Sequence, residues 1–359
     1  MTLSLSLAGT ERTLARDAGN ARQGWATRAA CIVTLEGDNA TGIGEASPLP
    51  GFSPDTLEQC LAALGAVDPE RLPTRLEPEQ SARVELARAS AQLPLGVPAA
   101  RAALEGALLD LWSRGLHKPA WALLDGGTGT PRRRALAALL MAEPEQALEQ
   151  AVHAYARGMR TFKLKIGRPG AIEREIAALR SLRETLGPDV RLRLDANQSF
   201  SAAEARACLP RFAEHGVEYI EEPCARGDLE HLAGLGVPIA LDESLMQLAD
   251  AGSRAAELRA LGVSALVLKP TLLGGVSACC AWADVAARIG AEVVLSHAFE
   301  GPVGLGLSAA LALSIGSNSV AHGLDLEGAR LEHLPLPLFS GAVLEPWSEA
   351  GFGDRRGSA

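Results

Sequence analysis

Five apolar runs in this 359-residue chain end on ionisable side chains: TFKLKIG, LRLDANQS, YIEEP, ALDES and LVLKP, in that order. Asp195, Glu221 and Asp242 stand 26 and 21 residues apart, the spacing of successive strand ends. Three carboxylates at one rim repel one another unless a cation neutralises them. Hard oxygen ligands suit Mg²⁺, with Mn²⁺ as its substitute and positions left for water and substrate. A single acid after a strand is commonly a helix cap. Three on consecutive strands, flanked by lysines, predict a metal site.

Lys163 and Lys165 are two apart, so on a strand they share a face. Because their run is apolar, that face is the interior. Lys269 ends a later run, across from them. Burial disfavours a charged ammonium, so interior lysines need a use; snorkelling to water would explain any one of them but not the set. Burial and a neighbouring cation lower a lysine's pKa toward that of a general base. Lys163 beside Lys165, with Mg²⁺ near, would supply that perturbation. One Mg²⁺ and three carboxylates leave −1; cationic Lys163 and Lys269 with neutral Lys165 give +1, and Arg193, on the strand face of Asp195, gives +2. Such a site predicts a small dicarboxylate substrate.

Eight apolar runs position these groups: Ala135–Met141, Thr161–Ile166, Val190–Asp195, Val217–Glu221, Ile239–Asp242, Ala265–Lys269, Glu292–Ser296 and Ser319–Leu324. Amphipathic segments separate them at βα-unit intervals, which predicts an α/β fold with a (β/α)₈ TIM-type barrel. No GxGxxG follows the first run, against a dinucleotide-binding sheet. Upstream, LSLSL, AACIVTL and TGIGEAS read as a small antiparallel sheet, and Ala99–Leu116 as a long helix. The turn-rich DGGTGTPRRR (Asp125–Arg134) makes the best boundary. The expected organisation is an N-terminal α+β capping domain over 1–130, the barrel over 131–327, and a tail, 328–359, packing back on the capping domain.

A net charge of −9 argues against nucleic acid or an anionic membrane as partner. The N-terminal residues show no basic leader and no long apolar stretch, and no run is long enough to span a bilayer, so no membrane partner and a cytoplasmic location are expected. The six cysteines form no CxxC pair and no zinc spacing, and read as reduced thiols. Nothing fixes the oligomeric state.

The residues Lys163-Leu164-Lys165, Asp195-Ala196-Asn197, Glu221-Glu222-Pro223, Asp242-Glu243-Ser244 and Lys269-Pro270 resemble the enolase superfamily and its muconate-cycloisomerase-like subgroup. GIGEASPLPGFSPDTLEQ (Gly42–Gln59), LRLDAN and GLDL (Gly323–Leu326) are similar to the o-succinylbenzoate synthase family. The resemblance implies a Mg²⁺-dependent lyase of menaquinone biosynthesis, which makes o-succinylbenzoate by syn-dehydration of 2-succinyl-6-hydroxy-2,4-cyclohexadiene-1-carboxylate through an ene-diolate. Lys165 would be the base and Lys269 the charge on the opposite face. Asp195, Glu221 and Asp242 would hold the metal. Substrate contacts would come from Arg193, Asn197, Ser296 and Gly323, and from Ser47, Leu49 and Phe52 of a loop covering the substrate. One departure stands out: the family's SSxxESxxG reads SHAFEGPVG here (Ser296–Gly304), leaving His297 as either an acid/base or, better, a hydrogen-bonded packing residue. Dipeptide epimerases and N-acylamino acid racemases share every catalytic element. The epimerases carry a DxD for a substrate ammonium, where this chain has Asp325-Leu326-Glu327. A Schiff-base lyase on Lys165 or Lys269 would not need the three acids.

Overall fold

The computed structural model describes residues 2–14, 24–124, 132–248, 251–325 and 339–353. Strands β1 (Ser4–Thr13), β2 (Thr27–Glu36) and β3 (Thr41–Ala46) form an antiparallel sheet, followed by helices α1 (Leu57–Gly65), α2 (Ala82–Ser90), α3 (Pro98–Gly115) and α4 (Ala120–Leu124). Thr56 and Gln59 close a reciprocal capping box at the start of α1. Helix α3 is buried on nearly every side because β3 packs on it from one side and α2 and the later helix Pro270–Leu273 from others. Gly42 and Gly44 explain how it gets so close to β3. A Cβ on Gly44 would lie 1.9 Å from the Ala103 carbonyl oxygen, and one on Gly42 would lie 2.1 Å from that of Ala107.

A two-residue β4 (Arg134–Ala135) precedes β5 (Ala137–Leu140) and α5 (Ala147–Ala156). Then come β6 (Thr161–Lys165), α6 (Ile172–Leu186), β7 (Arg191–Asp195), α7 (Ala202–Ala213), β8 (Val217–Glu221) and β9 (Ile239–Leu241). After α8 (Glu243–Met246) and α9 (Ala255–Ala260) the chain forms β10 (Val263–Leu268), α10 (Pro270–Leu273), α11 (Val276–Ile289), β11 (Glu292–Leu295) and α12 (Pro302–Ser314). Strands β5 to β11 make a seven-stranded parallel sheet in chain order. Its concave side is filled by Tyr219, Ala240, Ala265, Val267, Val294 and Val320.

Two sequence expectations are corrected. The first run, Ala135–Met141, is split at Leu136, whose N–H donates to Ala342 of the C-terminal segment instead of continuing a ladder. The last run, Ser319–Leu324, forms two isolated parallel bridges rather than a strand, Leu136 to His322 and Ser296 to Gly323. These two residues bond to both edges of the sheet: Ala137 N–H to His322 O, and Gly323 N–H to Leu295 O. Strand β12 (Phe339–Ser340) pairs with β13 (Val343–Leu344), which pairs with β4, and Gly351 bonds to Lys118 and Ala120. Most of the expected boundary at Asp125–Arg134, and Leu326 and Glu327, lie outside the described residues.

Two buried glutamates tie the N-terminal layer to the parallel sheet. Glu45, at the end of β3, accepts from the Gly301 and Gly304 N–H groups at 2.5 and 3.0 Å, at the N-terminus of α12. Glu105 of α3 accepts from the Ser277 N–H at 2.8 Å, at the N-terminus of α11, and from the Ser90 hydroxyl at 2.6 Å. Both exploit the unpaired N–H groups and positive dipole of a helix start. These two helices flank β11, so the joints fasten the N-terminal layer over the carboxyl ends of the strands.

Candidate active site

Parallel register aligns Lys165 with Asp195 and Asp195 with Glu221; one layer below, Lys163, Arg193 and Tyr219 are in line. The same inward face therefore carries both layers. Lys163 Nζ bonds to Glu221 at 2.6 Å and Asp195 at 2.8 Å. Lys165 Nζ bonds to Asp195 at 2.6 Å and to the Asn197 amide oxygen at 2.7 Å. Lys269 bonds to Asp242. Around these groups the backbone is strained: Asn197, Gln198, Glu222 and Phe299 all have positive φ, although none is glycine. At Asn197 the turn aims its N–H at Asp195 Oδ1, 3.0 Å away.

The electrostatics are frustrated. Burial alone would raise the Asp195 carboxyl, but Lys163 and Lys165 outweigh it and hold it well below the usual range. Glu221 is pushed up to about 7 by burial, which Lys163 offsets only in part, and Asp195 and Asp242 raise it further. Glu243 is driven far above the usual range by burial and by Asp242 next to it. Burial would lower both Lys163 and Lys269, yet their carboxylate partners hold both above the ordinary lysine value.

Among the described residues no three acids or histidines converge closely enough to hold an ion as they stand, because the lysine ammoniums lie between them. The donor set nonetheless fits one. Glu221 Oε2 is buried without a partner, Asp195 and Glu221 share Lys163, and Lys165 and Lys269 hold Asp195 and Asp242. Asp195, Glu221 and Asp242 are the residues that could hold a divalent cation.

A cavity opens beside them, lined by Lys163, Lys165, Lys269, Glu221 and Asn197. Ser296, Gly323, Leu49, Phe52 and Arg193 also reach it. Ser47 does not. It is fully buried under the loop, and its carbonyl is taken by Arg28. Arg193 reaches the cavity from below. It spans the floor, its Nε on Glu218 at 2.5 Å and its Nη1 on the Ala321 carbonyl at 2.7 Å. Glu218 cancels its charge, so the count with metal returns from +2 to +1.

Sequence reasoning found Leu49 and Phe52 of the roof and missed Trp25 and Phe299. Trp25 stacks against Phe52 and Phe299, at centroid distances of 6.4 and 5.9 Å, and its indole N–H donates to Pro50 O. Phe52 in turn lies 5.4 Å from Lys269 Nζ. Only proximity in space brings Trp25 and Phe299 to Phe52, so no local motif announces the first two. Asp325 also lines the cavity and is engaged by Arg157 at 3.4 and 3.3 Å. His297, in the same wall, is lowered to about 4 by burial and by Lys269, so it is neutral.

Residues 146–341 match the family described as enolase C-terminal domain-like. The o-succinylbenzoate synthase of Desulfotalea psychrophila is 32% identical over 327 residues, covering 84% of this chain and 88% of that protein. The chain belongs to the enolase superfamily. The L-Lys-D/L-Arg epimerase of Methylococcus capsulatus, another relative, is 31% identical and covers 81% of this chain and 80% of its own length. Among solved structures, the dipeptide epimerase of Enterococcus faecalis with Mg and L-Leu-L-Tyr superposes with a TM-score of 0.82 at 25% identity, covering 98% and 99% of the two chains. Muconate lactonizing enzymes share the fold. Superfamily membership makes the chain an enzyme and leaves its reaction class open between lyase and epimerase. No helix among the described residues is long and apolar enough to cross a membrane.

Proposed function

We propose that this superfamily member is an o-succinylbenzoate synthase, a hydro-lyase acting on a cyclohexadiene dicarboxylate inside a closed (β/α)₈ barrel roofed by an N-terminal capping domain. The roof carries the reading: Trp25, Phe52, Phe299 and Leu49 form an apolar lid over lysines and acids whose sum would turn positive with Mg²⁺ bound. A hydrocarbon ring with two carboxylates suits that combination. Asp325, where an epimerase would receive an ammonium, is instead occupied by Arg157.

Lys165 would take the proton α to the ring carboxylate, then return it to the departing hydroxyl on the same face. The C–H and C–O bonds break, a ring double bond forms, and water leaves. Lys269, on the far side and tucked under Phe52, would hold the developing negative charge. Asn197, through its bond to Lys165, would keep that ammonium aimed. Asp195, Glu221 and Asp242 would bind Mg²⁺, which supplies charge neutralisation and Lewis acidity toward the substrate carboxylate.

The alternative is a dipeptide epimerase or N-acylamino acid racemase, favoured by lysines on both sides of one cavity. Supplying the cyclohexadiene substrate with Mg²⁺ should give aromatic absorbance. Lys165→Ala should remove it, a loss of at least roughly 10²–10⁴-fold. Epimerisation of dipeptides with no aromatic product would overturn the lyase assignment.

A further inference from the structure

Antiparallel register places Arg12 of β1 directly opposite Arg28 of β2. Like charges in that relation destabilise a sheet, so the pair calls for a compensating use. Both guanidiniums reach the same loop after β11. Arg12 donates to the Phe299 carbonyl at 3.0 Å and Arg28 to the Ala298 carbonyl at 3.0 Å. Arg28 also donates to the carbonyls of Ser47 and Pro48. One buried side chain thus pins the loop covering the cavity to the loop forming its wall. Burial lowers Arg28 to about 10, with Glu300 and Glu45 partly restoring it, so it remains cationic at neutral pH.

What the arginines hold is unusual. Phe299 has φ +61°, a left-handed conformation that a bulky residue adopts only under strain. That turn brings its N–H back onto Nδ1 of His297 at 3.1 Å, with the two rings edge to face. A neutral imidazole that accepts at Nδ1 carries its proton on Nε2. His297 lines the cavity, and nothing among the described residues bonds to its Nε2.

We propose that Arg12 and Arg28 are positioning residues that hold this loop so that His297 offers its Nε2–H to the substrate as a fixed, uncharged donor, making His297 a specificity-determining residue for a carbonyl or carboxylate oxygen. The proposal rests on the reading above only in placing the substrate in this cavity. It departs from a packing or acid/base role for His297.

Two measurements on the full chain test it. The first uses ¹⁵N-histidine NMR without substrate, at neutral pH. The wild type should show His297 as a single Nε2–H tautomer, and Arg12→Met should convert it to a mixture while the melting temperature stays within a few degrees. The second measures KM and kcat, with Mg²⁺, for whichever substrate the wild type turns over. Arg12→Met, Arg28→Lys and His297→Phe should each raise KM about tenfold, the size of one hydrogen bond, with kcat within about threefold. His297→Gln, which keeps a donor, should recover part of the loss. An unchanged tautomer in Arg12→Met, or a wild-type KM in His297→Phe, would overturn the proposal. Because the tautomer is read without substrate, its outcome is independent of whether aromatic product forms. Failure of the lyase reading is therefore seen separately.

Discussion

The molecule buries carboxylates in two places and satisfies them in opposite ways. At the joint between the N-terminal layer and the parallel sheet, Glu45 and Glu105 meet neutral donors: backbone N–H groups at two helix starts and, for Glu105, two serine hydroxyls. At the strand ends, Asp195, Glu221 and Asp242 meet lysines, and Glu221 is left with a bare oxygen. Neutral donors set to one carboxylate have a single arrangement, which suits a permanent joint. Charges that share partners have more than one, and an arriving cation can reorder them. The joint is built to stay; the strand ends are built to bind.

The largest expected effect is at the strand ends. Chelator should abolish turnover, and Mg²⁺ or Mn²⁺ should restore it; full activity in metal-free protein would erase the contrast. Next comes the joint. Glu105→Ala leaves the Ser277 N–H and two hydroxyls without their acceptor, and should lower unfolding free energy by about 2–4 kcal/mol with or without metal. The strand-end counterpart should go the other way. Glu221→Gln removes an ionisation that burial and like charges oppose, while Lys163 keeps Asp195. In chelator-treated protein at pH 8 it should add on the order of 1–2 kcal/mol while abolishing activity, a trade expected of a strained functional site. Urea unfolding of the metal-free proteins reads both. A destabilised Glu221→Gln would mean that the acid is well satisfied before any cation arrives.

How much of this was legible from sequence follows the range of each interaction. Alternation and strand-end charges are local, and they placed Lys163, Lys165, Asp195, Glu221 and Lys269 on one inward face. The helix expected at Ala99–Leu116 is found at Pro98–Gly115. Long-range partners were not visible. Glu45 meets its donor 256 residues away and Glu105 its donor 172 away, and each reads in sequence as one more surface acid. Arg193 looked available because its acceptor, Glu218, arrives on the neighbouring strand. The eighth run reads as a strand because it is apolar, yet His322 and Gly323 bond to two different edges and leave no continuous ladder to either.

The smallest effect tests the contrast by its sign with pH. Burial raises Glu105, and hydrogen bonds from Ser277 and Ser90 offset this only in part. Its folded value therefore lies above the ordinary glutamate value of ~4.3. Between those two values the folded chain holds a proton that the unfolded chain lacks, so this group's contribution to stability grows as pH falls through that window. Glutamine has no such dependence. The stability of wild type minus Glu105→Gln should therefore rise as pH falls toward ~4.3, by at most ~1.4 kcal/mol per pH unit. Asp195 has the opposite sign. Its lowered folded value gives a contribution fully present above the ordinary aspartate value of ~3.9 and lost only at more acid pH. The Asp195 ionisation itself should thus add no slope from pH 8 to pH 5 in chelator-treated protein. Urea unfolding at four pH values separates the two slopes. Parallel slopes would mean that the joint and the strand ends hold their carboxylates by the same means.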